Sequence, residues 1–245
     1  MKDNFSNQAA AYAQFRPQYP EELFQYLLSF VSEKNIAWDC GTGNGQTARE
    51  LCKYFTTVFA TDISQKQLDN AYPADNIFYS LQPAEKTNFK ANSFDLITVS
   101  QALHWFAFEN FYSEVKRVAT PGAIIAVWTY SLLRLSPGIN DLIDNYHFNT
   151  LDNYWDTERK YVDEHYENIP FPFEEIKTPS FEIKLHWSLK ELEGYFNTWS
   201  ALQKFITAHK YNPVNALLEQ IKLLWGKEEK REIIFPVHLR LGTIK

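Results

Sequence analysis

Between Trp38 and Gln46 the chain reads Trp-Asp-Cys-Gly-Thr-Gly-Asn-Gly-Gln, and this stretch restricts the possible folds more than any other. The residues before it, Ile36-Ala37-Trp38-Asp39, form a short apolar run that reads as the end of a strand. The residues after it, Gln46 to Phe55, place Ala48, Leu51, Cys52 and Phe55 at helical spacing. A strand, three alternating glycines and a helix are the layout of a nucleotide-type cofactor loop. Glycine lets such a loop turn tightly and lets a ligand approach without meeting a Cβ. The free N–H groups of the following helix then face whatever lies in the turn.

The rest of the chain narrows the setting. Its 245 residues suffice for one large α/β domain or a domain with a cap, and an apolar content of 45% supplies a full core. The net charge of −6, with no long basic run, argues against a nucleic-acid partner. The high aromatic content of 16% fits both a core and an aromatic-lined pocket. Cys40 and Cys52 sit in the loop and on the next helix, which suits a reduced compartment better than a disulfide. With no apolar leader at Met1–Ser6 and no run of about 18 apolar residues, the expectation is a soluble, cytoplasmic protein without a membrane partner. Oligomeric state is not legible.

Strands and helices alternate up to about residue 130. Loose helical spacing over residues 5–15 leads into Arg16-Pro17-Gln18-Tyr19-Pro20, which cannot be regular helix. Pro20 is expected as a first helical residue, with Glu21 and Glu22 in the first turn and Leu23, Phe24, Leu27, Leu28 and Val31 on the core face. Further strands are expected at Thr57–Asp62, Ile77–Leu81, Phe94–Ser100 and Ala123–Trp128. A helix capped by Ser64 runs to about Ala71, and another covers Asn110–Val118. This rhythm implies βαβ units and a parallel sheet. Beyond 130 come two helices within 136–169, a half-exposed strand Phe181–Trp187, and a helix opened by the capping box Ser188-Leu189-Lys190-Glu191 and running towards Trp199. A further helix is bounded by Asn212-Pro213 and Gly226, and the last strand covers Ile233–Leu241, with Pro236 awkward inside it.

The glycine register discriminates between cofactors. A dinucleotide loop needs G-x-G-x-x-G, but Gln46 stands where the third glycine belongs and Gly45 comes one residue early. The run Asp39-x-Gly41-x-Gly43-x-Gly45 resembles motif I of class I S-adenosylmethionine-dependent methyltransferases. Asp62, 17 residues after Gly45, ends the second strand, where a carboxylate can accept hydrogen bonds from both ribose hydroxyls. Each such charge-assisted bond contributes roughly 1.5–3 kcal/mol. Pro83-Ala84-Glu85 follows the third strand. Ser100-Gln101-Ala102-Leu103-His104-Trp105-Phe106 follows the fourth, in a form similar to the type-11 small-molecule group, which includes trans-aconitate-like carboxyl methyltransferases. The opening Tyr12-Ala13-Gln14-Phe15-Arg16-Pro17-Gln18-Tyr19-Pro20, the Thr198-Trp199-Ser200 run and Phe235–Gly242 resemble the same group, so the likeness spans nearly the whole chain.

That resemblance implies an α/β, Rossmann-like, seven-stranded, mostly parallel sheet with helices on both faces, an antiparallel last strand and a helical cap. One domain is expected over 1–245, with a lid at 1–20, a cofactor core at 21–130, a mainly helical cap with one sheet strand at 131–225, and a final strand at 226–245. S-adenosyl-L-methionine is the implied cofactor. Its expected contacts are Tyr12, Arg16, Asp39, Gly41, Thr42, Gly43, Gly45, Asp62, Ile63, Ala84, Glu85, Ser100, Gln101 and Trp105. Asp39 is expected to hold the loop by accepting its backbone N–H groups. Tyr12 and Arg16 are candidates for the methionine carboxylate or an acidic substrate. His104 is the candidate general base for a small-molecule acceptor, with a carboxylate needing none. Trp155, Trp187 and Trp199 are expected to line the acceptor pocket. No metal-ligand spacing, G-x-S-x-G elbow or Walker A lysine competes. The rival readings are an NAD-dependent oxidoreductase and a non-catalytic methyltransferase-like binding protein.

Overall fold

The computed structural model of the protein describes residues 15–245. Apart from Phe15, the expected helix over 5–15 lies outside that range, as does Tyr12. The first described helix, α1, is Glu21–Leu28, with Pro20 at the N-cap, one residue before its expected place. Then follow β1 (Ile36–Cys40), α2 (Gln46–Leu51), β2 (Thr57–Asp62), α3 (Gln65–Leu68), β3 (Ile77–Leu81), β4 (Phe94–Ser100), α4 (Phe108–Val118) and β5 (Ala119–Tyr130). The cap comprises α5 (Pro137–Asn145), α6 (Arg159–Asp163), β6 (Glu174–Ile176), β7 (Phe181–Trp187), α7 (Leu189–Asn197), α8 (Ser200–His209) and α9 (Val214–Trp225). The long strand β8 (Arg231–Thr243) completes the sheet.

The strand order is β3-β2-β1-β4-β5-β8, with β6 and β7 both on the outer side of β8. Pairings from β3 through β5 are parallel, and β8 runs antiparallel to β5, β6 and β7. This is a Rossmann-like sheet of the expected kind, with eight strands among the described residues instead of seven. The extra strand arises because one sheet position is shared by two short pieces. Between β6 and β7, Pro179 cannot donate to a ladder, and Thr178 Oγ1 donates to the Leu239 carbonyl at 2.9 Å instead. Pro236 is accommodated opposite Glu182, and its carbonyl accepts the Ser131 N–H at 2.9 Å.

The central strands are apolar on both sides because helices cover both faces. Along β5, Ile124, Ala126 and Trp128 join one core, while Ile125 and Val127 join the other. The first core gathers α1, α2 and most of the cap, while Val162 of α6 joins the second. The second is built around Trp38, Phe94, Phe111 and Tyr166. Trp128 is fully buried, with the rings of Tyr19 and Phe24 edge-on at 5.5 and 6.1 Å.

Local signals fared unevenly. The capping box at Ser188 is formed, Asn212 Oδ1 accepts the Val214 N–H, and Gly226 ends α9 with φ +83°. Ser64 does not cap α3 with its side chain, and that helix stops at Leu68; Asp62 Oδ1 accepts the Ser64 N–H instead. The helix opened at Ser188 ends at Asn197, and Trp199 precedes a separate helix, α8. Among the described residues no helix is long and apolar enough to cross a membrane.

Candidate active site

The C-terminal ends of the parallel strands open onto a cleft, where open α/β sheets commonly bind ligands. Its wall includes Gly41, Thr42, Gly43, Asp62, Ile63, Ala84, Ser100, Gln101 and Trp105, all expected from the sequence. Tyr19, Asn44, Gln46, Gln67, Gln82 and Phe106 also line it and were not expected.

The three glycines do different work. All have positive φ, but only Gly43 faces open space: a Cβ there would find no atom within 4 Å. A Cβ on Gly41 would lie 2.6 Å from the Ala102 Cβ. A Cβ on Gly45 would run into the Tyr79 hydroxyl. Gly45 is therefore a packing residue at the start of α2 and lies off the cleft wall.

Asp39 holds the loop by a route other than the expected one. Its carboxylate accepts the Thr42 hydroxyl, the Thr98 hydroxyl at 2.8 Å and the Ala48 backbone N–H, so it ties the loop through a side chain and reaches α2 and β4. Burial pushes its carboxyl up to about 6, against the pull of those bonds. The glycine-loop backbone is held by Asp62, whose two oxygens accept the Gly43 and Ser64 N–H groups, each at 2.8 Å.

The loop that presents Ala84 is clipped on both sides. Thr87 donates its N–H and its hydroxyl to Glu114 at 2.8 and 2.5 Å. Glu85 accepts the Ala107 N–H at 2.9 Å and is not on the cleft wall. The expected contact by Glu85 is thus replaced by a clip that fixes its neighbour.

Gln101 and Trp105 belong to two cavities. On their far side is a second, smaller chamber, lined also by Arg16, His104, Trp155, Asp156, Arg159, Val162, Trp199 and Ser200. Gln101 has φ +54°, unusual for a residue with a side chain. It is fixed by bonds from its N–H to the Trp128 carbonyl and from Thr129 Oγ1 to its Oε1, at 2.9 and 2.8 Å. Trp155 and Trp199, expected at the acceptor pocket, line this chamber. Trp187 does not, because it packs on Tyr195 and Phe235 in the core.

His104 also lines this chamber, but its Nδ1 is 2.7 Å from the Tyr166 hydroxyl and its ring is buried. Burial, aided by the Arg159 charge, pushes the imidazole down to about 3. It is neutral at pH 7 and would hold an abstracted proton only weakly, which is poor equipment for a general base.

The N-terminal segment reaches both cavities. Arg16 donates to the Tyr130 hydroxyl at 2.7 Å and lies over the Tyr195 ring, and the Tyr19 hydroxyl accepts from Ser100 Oγ at 2.7 Å. What seats this segment is a notch in α7: the Phe15 ring occupies the place of a side chain at Gly194, 2.5 Å from where a Cβ would stand. Alanine at 194 would by itself favour the helix by about 1 kcal/mol. We expect Gly194→Ala to evict Phe15 and loosen Tyr19 against Ser100, weakening ligand binding in the cleft about fivefold without lowering the melting temperature. In a double-mutant cycle, Phe15→Ala should add little to Gly194→Ala. Calorimetry with S-adenosylhomocysteine reads this, and full additivity of the two losses would dismiss the notch.

These features meet what comparison with known proteins returns. A family model described as a methyltransferase domain matches residues 38–127, the span from β1 to β5. The chain belongs to this methyltransferase family. A protein of Dictyostelium discoideum named as a methyltransferase is 34% identical over 248 aligned positions, covering 98% of this chain and 94% of the relative. The solved structure of a type II methyltransferase from Anaeromyxobacter dehalogenans matches with a TM-score of 0.87 and 34% identity, over 94% of this chain and 98% of that one. More distantly, Haemonchus contortus phosphoethanolamine N-methyltransferase 2 in complex with S-adenosyl-L-methionine shares the fold. Its TM-score is 0.50 at 15% identity, over 98% of this chain and 57% of that one.

Proposed function

We propose that this methyltransferase takes its methyl group from S-adenosyl-L-methionine, bound in the cleft, and transfers it to a small molecule held in the second chamber. The observation that carries this reading is the pair of cavities sharing the wall of Gln101 and Trp105. A donor and an acceptor bound on either side of one wall can be aligned with each other, and such positioning can account for about 7–11 kcal/mol of barrier.

The cleft's residues fit the cofactor. Asp62 has two carboxylate oxygens that each take one backbone N–H, and a carboxylate oxygen has lone-pair capacity for a ribose hydroxyl as well. Gly43 leaves its side of the cleft open to close approach. Ala84 and Ile63 are suited to the base, and Ser100 and Gln101 to the polar amino-acid end. When bound, the cofactor supplies an electrophilic methyl on a sulfonium. The chain's residues supply binding, alignment and exclusion of water. The Trp105 face can attract the sulfonium's positive charge by about 0.5–2 kcal/mol.

An acceptor that is already a nucleophile needs no base, and the weak basicity of His104 supports a carboxylate over a phenol or an amine. The net charge of −6 favours a small molecule over nucleic acid, and the free thiols of Cys40 and Cys52 suit a reducing cytoplasm. The glycine register and the family both speak against an NAD-dependent oxidoreductase.

Calorimetry with S-adenosylmethionine, S-adenosylhomocysteine and NAD tests the reading. Micromolar binding of the first two and none of NAD is expected; NAD binding alone would overturn it. Asp62→Ala should weaken S-adenosylhomocysteine by about tenfold or more, because it removes both the ribose acceptor and the clamp on Gly43. An unchanged affinity would take Asp62 out of the site. Release of S-adenosylhomocysteine in a screen of small carboxylates, phenols and amines would separate catalysis from binding alone.

A further inference from the structure

The second chamber carries two guanidinium groups on its wall, Arg16 and Arg159, and they are set differently. Arg16 reaches the Tyr130 hydroxyl and the Tyr195 ring. Arg159 stands at the start of α6, three-quarters buried, with its guanidinium 4.8 Å over the Trp155 ring. Its Nε donates to Asp163 Oδ1 at 3.0 Å, and among the described residues no hydrogen bond engages its terminal nitrogens. The Trp155 face and one ion pair thus hold in place a cation that lines the chamber and whose terminal nitrogens keep their hydrogen-bonding capacity.

The acidic groups nearby have partners already. Asp156, on the same wall, is paired with Lys204 Nζ at 2.7 Å. Asp163 has Arg159 on one side and His147 Nε2 at 3.3 Å on the other. Burial works to raise the Asp163 carboxyl, but His147 and Arg159 hold it below the usual range, so it stays ionised. Among the described residues, two guanidinium groups line the chamber, and the carboxylate on its wall, Asp156, is paired with Lys204. The remaining lining includes the indoles of Trp105, Trp155 and Trp199, which suit a flat apolar body.

We propose that the second chamber binds its occupant as an anion, a small organic acid with a flat apolar body, and that Arg159 is the residue that selects the carboxylate. A guanidinium held in place matches a carboxylate through two parallel hydrogen bonds, and burial strengthens the attraction. An amine at this wall would meet like charge. The inference rests on the reading of the chamber as the acceptor side of the methyltransferase, and it adds a residue that the spacing of the sequence did not single out.

The test uses the full chain saturated with S-adenosylhomocysteine. Two matched pairs of probes, benzoate with benzamide and phenylacetate with phenylacetamide, are titrated while tryptophan fluorescence is followed. The acids should quench, and their amides should bind at least about tenfold more weakly. Arg159→Gln should abolish the preference for acid over amide, and Arg159→Lys, which keeps the charge but loses the fork, should retain part of it. Both variants should bind S-adenosylhomocysteine as the parent does. Equal binding of acid and amide, no binding of either acid at millimolar concentration, or an unchanged preference in Arg159→Gln overturns the proposal. So does loss of S-adenosylhomocysteine binding in both variants, which would make Arg159 a structural residue. Failure of the parent itself to bind S-adenosylhomocysteine would overturn the cofactor reading, and this proposal would fall with it.

Discussion

Gly45→Ala is expected to lower the stability of the protein by about 3 kcal/mol, which for a chain of this length is a fall in melting temperature of about 6–12 °C. Two costs add. The residue must hold φ +83°, which disfavours an L side chain by roughly 1–2 kcal/mol. Its methyl would also collide with the Tyr79 hydroxyl, and overpacking of this kind costs about 1–3 kcal/mol. Tyr79 cannot swing away freely, because its hydroxyl donates to the Tyr72 carbonyl at 2.8 Å. In a Tyr79→Phe background the collision is reduced to a ring carbon at 3.1 Å, so part of the loss should return and the φ cost should remain. Gly43→Ala gives the contrast. It meets open space on the cleft wall, so it should cost stability only through its φ of +57° while obstructing the ligand. Thermal unfolding and S-adenosylhomocysteine binding, measured on the parent, these variants and the Tyr79→Phe background, separate packing from recognition. Equal stability of Gly45→Ala and the parent would refute the account.

A second large effect should appear as a pH dependence. Asp39 is 1% exposed and its carboxyl is raised from 3.8 to about 6, chiefly by burial. Between these values the unfolded chain has released the proton that the folded protein still holds. Unfolding therefore releases protons in that window, and stability falls as pH rises through it, by about 3 kcal/mol in all. Above about pH 6 both states are ionised and the cost stays constant. The buried imidazole of His104 and the half-buried one of His238, lowered to about 3 and about 4, act with the opposite sign, since the folded state resists a proton that the unfolded chain takes up below 6.5. The quantity to read is thus the difference between the parent and Asp39→Asn, followed by urea unfolding at pH 4, 5, 6 and 7. Asp39→Asn should gain relative to the parent across the window. Parallel profiles would show that Asp39 titrates normally.

What the sequence revealed of this fold depended on whether the cause of a feature lay close by in the chain. The strands at Thr57–Asp62, Ile77–Leu81, Phe94–Ser100 and Phe181–Trp187 match, because alternation and turn residues are local signals. β6 escaped notice because Glu174-Glu175-Ile176 has neither length nor apolar character; it exists because β8 is long enough to pair with it. α8 was missed because it opens after Trp199, which has no capping side chain. In the site, the glycine register identified the wall with Gly43, Asp62 and Ala84. The bonds around Asp39 were misjudged because one partner, Thr98, is 59 residues away on β4. Arg159 and the seat of Phe15 on Gly194 had no signal at all, since only the tertiary fold brings these residues together.

The wall shared by the two cavities has a consequence for how such a chain can diversify. Among the described residues, those lining the cleft run from Tyr19 to Phe106, whereas the chamber beyond it draws on positions from Arg16 to Ser200. Six of the ten residues that line the chamber, at 155–162 and 199–200, therefore lie outside the stretch that builds the cleft. Segments 155–162 and 199–200 can be exchanged or lengthened without disturbing any residue of the first compartment, provided Gln101 and Trp105 keep their places. Those two side chains are the fixed coupling, and a lineage that changes what it methylates can do so by rewriting the later segment while inheriting the earlier one intact.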